Sequence, residues 1–208
     1  WVARYQHITT ALAFAITEEA VEDGRYGDLG QKYSAELARS MRYTDEVRAI
    51  SILNNGFNSS YPGGDAKELF ATDHPLSSGG TLANELTTAA DLSEEALEDA
   101  HIAIKGFVDD RGKPKQFKAN KLIIPRQSEF IAHRILKSVG QSGTANNDAN
   151  ALKDMGAFPG GVHVNVYLAA PDAWYIITDC PDGLKHFKRR ALKKGMEGDF
   201  ETGNMRYK

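Results

Sequence analysis

The stretch "LGQKYSAELARSMRYTDEVRAISILNNG" (residues 29–56) decides the fold. Leu29, Tyr33, Leu37 and Met41 recur every fourth residue, and Val47, Ile50 and Leu53 continue the apolar side. Glu22, Asp28, Lys32, Glu36, Arg39 and Arg42 mostly fall elsewhere on the wheel. That is the segregation of a helix that packs along one face. Asn54, Asn55 and Gly56 supply the stop, because Asn and Gly tolerate left-handed backbone. The pattern predicts a helix over 25–54, about 30 residues and roughly 45 Å at the helical rise. Average helices run to about 12 residues. A helix longer than a compact domain needs is a structural spar.

Upstream, Gln6, Ile8, Thr10, Leu12, Phe14 and Ile16 alternate with His7, Thr9, Ala11, Ala13 and Ala15. A period of two, bulky on one face and small on the other, predicts a strand over 6–16 packed on both sides. Thr17 before Glu18 and Glu19 is a helix-start signal. Downstream, residues 57–92 are rich in Ser, Gly, Thr and Asn and form a long loop. Loops of that length are usually functional or held by partners. Ser93 before Glu94 and Glu95 opens a helix with Leu97, His101, Ile104 and Val108 on one face, closed by the turn "DDRGKP". "KLIIP" (121–125) is a short buried strand and "SEFIAHRILKS" (128–138) a helix. "GQSGTANNDAN" (140–150) is too polar and glycine-rich for a core and is expected at the surface. Val162, Val164, Val166 and Leu168 alternate as a strand, and "AWYIIT" (173–178) is another. Helices alternating with strands indicate a mixed α/β layer unit.

The chain has 208 residues, 41% of them apolar and 25% charged. This is an ordinary globular balance. A formal net charge of −3 argues against a general nucleic-acid binder, which is usually strongly basic. No apolar run approaches the ~20 residues of a membrane helix. The single cysteine, Cys180, excludes an intramolecular disulfide and suits a reducing cytoplasm. The sequence begins at Trp1 and stops in the strand-like "GNMRYK", as expected of an internal piece of a longer protein.

Candidate chemistry is sparse. Asp73-His74-Pro75 has the residue types of a metal pair or an acid–base couple. Metal sites need three or four ligands in fixed geometry, however, and an Asp near a Pro is ordinary turn chemistry. Cys180 lies in the turn "TDCPDG" and is expected to be structural. His7, His101, His133, His163 and His186 share no zinc or triad spacing. "SVGQSGTANN" lacks the lysine and strand–helix context of a phosphate loop. "KHFKRRALKK" (185–194) gathers six basic residues, including Lys188, Arg189 and Arg190. It is either a solvated or interface face that pairs with acidic neighbours, or a contact for nucleic-acid phosphates. No catalytic, cofactor-binding or metal residue is assigned, and no cofactor is expected.

The succession "RYQHITTALAFAIT", "LARSMRYTDEVRAISILNNGF", "LFATDHPLSSGGT", "LIIPRQSEF", "DAWYIITD", "GLKHF" and "MEGDFETGNMRYK" resembles the major capsid proteins of tailed bacteriophages, closest to the Mu-like major head subunit group. The likeness runs in order over essentially the whole chain. It implies an α+β, Hong Kong 97-like capsid fold with a long spine helix, a peripheral domain and a mixed α/β axial domain. Residues 1–56 would be the peripheral domain, its spine helix spanning 17–54, and 57–92 a linker loop. Residues 93–178 would form the axial domain, and 179–208 a return to the peripheral domain. The family's N-terminal arm, most of its extended loop and its final peripheral strand would lie outside this sequence.

The function so implied is structural: a subunit that assembles into an icosahedral head shell around double-stranded DNA, in the virion, after assembly in the bacterial host cytoplasm. Its partners would be itself, in pentamers and hexamers, with scaffolding, portal or decoration proteins and non-specific DNA contacts, and no membrane. Leu29, Tyr33, Leu37 and Met41 would build the spine-helix core. Gly140, Ser142, Gly143, Asn146 and Asn147 would form a capsomer-axis loop. The alternatives are an encapsulin-type shell of the same fold and, from a different class, a cytoplasmic hydrolase using Asp73 and His74.

Overall fold

Capping, glycine geometry and strand pairing account for most of the element boundaries in the computed structural model, which describes residues 5–141, 148–181 and 183–208. Strand β1 is Phe14–Ile16, followed by helix α1 (Glu18–Glu22). The first turn of α1 is capped by the Thr17 hydroxyl, which accepts from the Ala20 amide, the usual role of a residue at that position. Gly24 then takes φ +70°, and the Gly24 and Arg25 amides bond back to Val21 and Ala20. A left-handed cap of this kind closes α1. The helix expected over 25–54 is α2 (Tyr26–Asn54, 29 residues), and the expected 17–54 span is two helices, not one, because of that cap.

Chain contacts divide the protein into two compact units. One holds residues 50–183; the other joins 4–49 to 184–208. The first is built on a three-stranded sheet. Within it the segment after α2 contains the short pair β2 (His74–Pro75) and β3 (Thr81–Leu82), then α3 (Glu94–Lys105). The Ser93 hydroxyl accepts from the Ala96 amide at 3.1 Å, as its position before two glutamates predicts. Strand β4 (Ala119–Pro125) leads through a single 3₁₀ turn (Arg126–Ser128) into α4 (Glu129–Lys137) and, further on, α5 (Ala151–Asp154). Strands β5 (Val162–Asn165) and β6 (Tyr175–Thr178) complete the sheet in the order β5-β4-β6, with β5 parallel to β4 and β6 antiparallel to it.

Central β4 is covered on both faces. Leu122 and Ile124, fully buried, point to a core shared with Leu97 and Ile104 of α3, Ala132 and Ile135 of α4, and Phe158. Ile123, one residue out of phase, points to the other side. There it meets Ile50 and Leu53 in the last turns of α2 together with Tyr175. The Tyr175 hydroxyl donates to the Leu53 carbonyl at 3.1 Å, and the rings of Phe57, Phe70 and Tyr175 cluster. A Cβ at Gly56 would sit 2.5 Å from the Phe70 ring, so this position after the helix needs glycine for space; none of Asn54, Asn55 and Gly56 has a positive φ, so α2 does not end on the left-handed residue the sequence led us to expect.

The second unit contains β1, α1, most of α2 and the hairpin strands β7 (Met196–Gly198) and β8 (Met205–Tyr207), in the order β1-β8-β7, all antiparallel. Phe14 stacks on Tyr207 and meets Tyr33 edge-on.

Several expectations are corrected. Only Phe14–Ile16 of the expected 6–16 strand pairs with β8. A strand needs a partner for its backbone groups. The strand expected over 162–168 stops at Asn165, whose side chain accepts from the Tyr167 amide at 2.8 Å. That bond is an Asx turn and redirects the chain. "AWYIIT" is strand only from Tyr175. The 57–92 segment has little regular structure but is cross-braced. Asn84 bonds the Leu69 carbonyl and the Ala71 amide at 2.7 and 2.9 Å, and Ser77 bonds Asp110.

Leu122→Ala is expected to lower unfolding free energy by about 2–5 kcal/mol, the cost of a buried cavity. At exposed Ile102, substitution by Ala should change it by no more than about 0.5 kcal/mol. Urea titrations of both variants check this.

Candidate functional site

The row Leu29, Tyr33, Leu37 and Met41 lies along α2, where Leu29, Leu37 and Met41 are half-buried and Tyr33 is 40% exposed with its ring against Phe14. None of the four is fully buried in the single chain.

Of the expected capsomer-axis loop, Ser142, Gly143, Asn146 and Asn147 lie outside the described residues. Gly140 is exposed and bridges Ala149, and the Gln141 amide bonds the Asp148 carbonyl at 2.8 Å, so the tract begins and ends on a β-like stem. The expectation that all of 140–150 lies at the surface fails at Asn150, which is wholly buried. Its amide nitrogen donates to the Ile135 carbonyl and to the Ser138 hydroxyl, and its oxygen caps α5 by accepting from Lys153. A buried polar side chain is tolerated when its donors and acceptor are satisfied in this way.

Lys188, Arg189 and Arg190 sit in an exposed segment without helix or strand, in the unit formed by the chain's two ends. Cys180 is a free, exposed thiol in its turn.

Asp73 and His74 are held by different partners. The Lys67 ammonium donates to Asp73, whereas His74 Nδ1 lies 2.6 Å from Asp65 Oδ2. His74 Nε2 is buried without a partner. Burial pushes the Asp65 carboxyl up, but hydrogen bonds from His74 and the Lys67 amide, with the His74 charge, outweigh it and hold Asp65 below the ordinary carboxylate value. Hydrogen bonds to the charged form and a nearby positive charge both favour ionisation. Sequence reasoning missed Asp65 because nothing in its spacing from His74 along a loop announces the pair. Asn84 and Asn54 were missed as braces for the same reason. Asn54 receives the Ala169 amide and donates to the Tyr167 carbonyl, both at 3.0 Å.

A cleft of about 330 Å³ opens beside α3, lined by His101, Ile104, Phe117, Met155 and Pro159 with Lys105 and Lys118. Burial, with the Lys105 charge, keeps His101 below the ordinary imidazole value, and its ring meets Phe158 edge-on. No carboxylate, thiol or hydroxyl side chain lines the cleft, so it offers no nucleophile–base couple. Among the described residues no group of three or more His, Cys, Asp and Glu side chains is placed to hold a metal.

Comparison with known proteins supplies the class. The family model described as phage capsid protein matches residues 2–208. The chain belongs to that family. No curated protein sequence matches it. Among solved structures it is similar to the capsid of bacteriophage JBD30 decorated with minor capsid protein trimers, with a TM-score of 0.53 and 16% identity over 76% of this chain and 72% of that one. At that identity the likeness speaks for the fold, a mixed arrangement of helix and sheet. The protein is therefore a structural subunit of a phage capsid shell, and its place is the virion. Neither the encapsulin nor the hydrolase reading is favoured. No described helix is long and apolar enough to cross a membrane.

The Asp65 interaction has a defined pH window. Its folded value is lowered. Such a carboxylate stabilises the fold above its unfolded value, about 3.9, and loses that effect as pH falls through the folded one. The gap in urea midpoint between the wild-type chain and Asp65→Asn should accordingly narrow as the pH is taken from about 5 toward about 3. A gap that widens over that range would contradict the pairing.

Proposed function

We propose that the chain is the major head subunit of an icosahedral shell enclosing double-stranded DNA, of Hong Kong 97-like architecture and of the Mu-like group. The observation that carries the reading is the family match along 2–208. The continuous helix Tyr26–Asn54, 29 residues long, supports a spine role, since such a helix spans roughly 45 Å. In this reading 1–56 belong to a peripheral domain, 57–92 to a linker and 93–178 to an axial domain, with 179–208 returning to the periphery. The compact unit that joins 4–49 to 184–208 is consistent with that return.

The mechanism is association without catalysis. Subunits form pentamers and hexamers through head-to-tail contacts that close by rotation, each contact burying roughly 1,600 Å² in all. Leu29, Tyr33, Leu37 and Met41 face a packed side of the spine in the shell. The tract around Gly140, including Ser142, Gly143, Asn146 and Asn147, approaches the capsomer axis, where small residues permit different backbone paths at five-fold and six-fold positions. Lys188, Arg189 and Arg190 meet either DNA phosphates or a neighbouring subunit. Assembly takes place in the host cytoplasm with scaffolding and portal partners. Decoration by minor capsid protein trimers, described for the JBD30 capsid, extends to this chain as part of the proposal.

Electron micrographs of the expressed full-length protein should show closed, uniform shells. Asp73→Asn with His74→Gln should leave their yield and shape intact. A soluble product that never forms particles, or a turnover lost in that double variant, would overturn the reading.

A further inference from the structure

The cleft beside α3 has an apolar floor and a basic rim. Of its lining residues, Ile104, Ala119 and Ala157 are buried and form the floor, whereas Lys105, Lys118 and Met155 are exposed. Neither lysine is in an ion pair among the described residues. The carboxylate of Asp179 accepts from the Lys118 backbone amide at 2.7 Å, so it is engaged by the main chain and not by the ammonium. Burial and the Lys105 charge hold His101 below the ordinary imidazole value. At neutral pH the two lysines therefore carry the charge of the cleft.

The walls are fixed by backbone bonds. Met155 follows α5 in a turn closed by Gly156 at φ +58°, and the Gly156 and Ala157 amides donate to the Lys153 and Leu152 carbonyls, both at 3.0 Å. On the strand side the Asp179 amide donates to the Lys118 carbonyl at 3.0 Å. A preformed, mostly apolar cleft of about 330 Å³ is at the small end of ligand pockets and suits one side chain of a longer partner. An apolar anchor in a pocket supplies most of the energy of such a contact, and opposite charges at the rim orient it. An exposed methionine adapts its shape to the anchor. A nucleic-acid backbone calls for a row of cations along a groove, and here only two basic side chains border an apolar floor. An acidic segment with one apolar side chain matches both floor and rim.

We infer that this cleft docks an acidic peptide segment of a partner protein, whose one apolar side chain seats over Ile104 and Ala157 against Met155 while its flanking carboxylates pair with Lys105 and Lys118. The site is complete within one subunit. Its failure would leave the shell reading untouched.

Fluorescence anisotropy tests this with a fluorescein-labelled synthetic peptide, a Phe flanked on each side by Glu-Asp, titrated with the 208-residue chain at neutral pH and low salt. Exchanging the acids for Gln-Asn, or the Phe for Ser, should each weaken binding at least about tenfold. The double variant Lys105→Glu, Lys118→Glu should do the same, as should Met155→Asp, with melting profiles unchanged because all three positions are exposed. Lys32→Glu with Lys194→Glu, the same change of net charge in the other unit, should leave binding as it was. Absence of saturation at about 1 mM chain overturns the inference. So does saturation that Met155→Asp and loss of the Phe leave unaltered. Displacement of the peptide by a short DNA duplex overturns it in favour of nucleic acid. Binding to the free chain that disappears in assembled shells overturns it in favour of a neighbouring copy as the occupant.

Discussion

Fixing one residue of backbone costs about 1–2 kcal/mol. In this chain the apolar surface that offsets that cost is concentrated on the two faces of β4. Leu122 and Ile124 gather α3, α4 and Phe158 on one side. Ile123 gathers Ile50, Leu53 and Tyr175 on the other. A strand buried on both faces is the pattern of a sheet layered between other elements. Part of the irregular 57–92 segment is tied to this frame, and part is braced within itself. Phe70 packs beside Tyr175, Asn84 braces 69–71, and the Trp174 indole donates to the Ala90 carbonyl at 3.0 Å.

That distribution suits a shell subunit. The 50–183 unit has its own core, whereas the large apolar residues of the other unit are mostly exposed in the single chain. Association carries a rotational and translational cost. Repetition across a closed shell compensates, since many modest contacts act together. Asp73 and His74, adjacent in sequence, each form a local tie within a loop, and the cleft beside His101 lacks a nucleophile.

What the sequence made legible was local in origin. Thr17 and Ser93 cap the helices they precede, because a cap needs only the residues of one turn. The α2 helix and the 121–125 strand were readable from apolar spacing, although none of Leu29, Tyr33, Leu37 and Met41 is fully buried in the single chain. What stayed hidden depends on distant partners. Residues 6–12 have the alternation of a strand, but the pairing with β8 covers only Phe14–Ile16. Asn165 ends β5 early through its bond to the Tyr167 amide, an Asx turn that its neighbours, all strand formers, conceal. Asn150 is buried because the carbonyl of Ile135 and the hydroxyl of Ser138 converge on it.

Calorimetry of the unassembled 208-residue chain addresses the division of burial most directly. The heat capacity change of unfolding follows the apolar surface that unfolding exposes. If the 50–183 unit alone has a core in the free chain, that change should be about 1.6–2.0 kcal/mol/K. A value of about 2.5–3.1 kcal/mol/K, as expected if the whole chain unfolds from a fully packed state, would contradict the account.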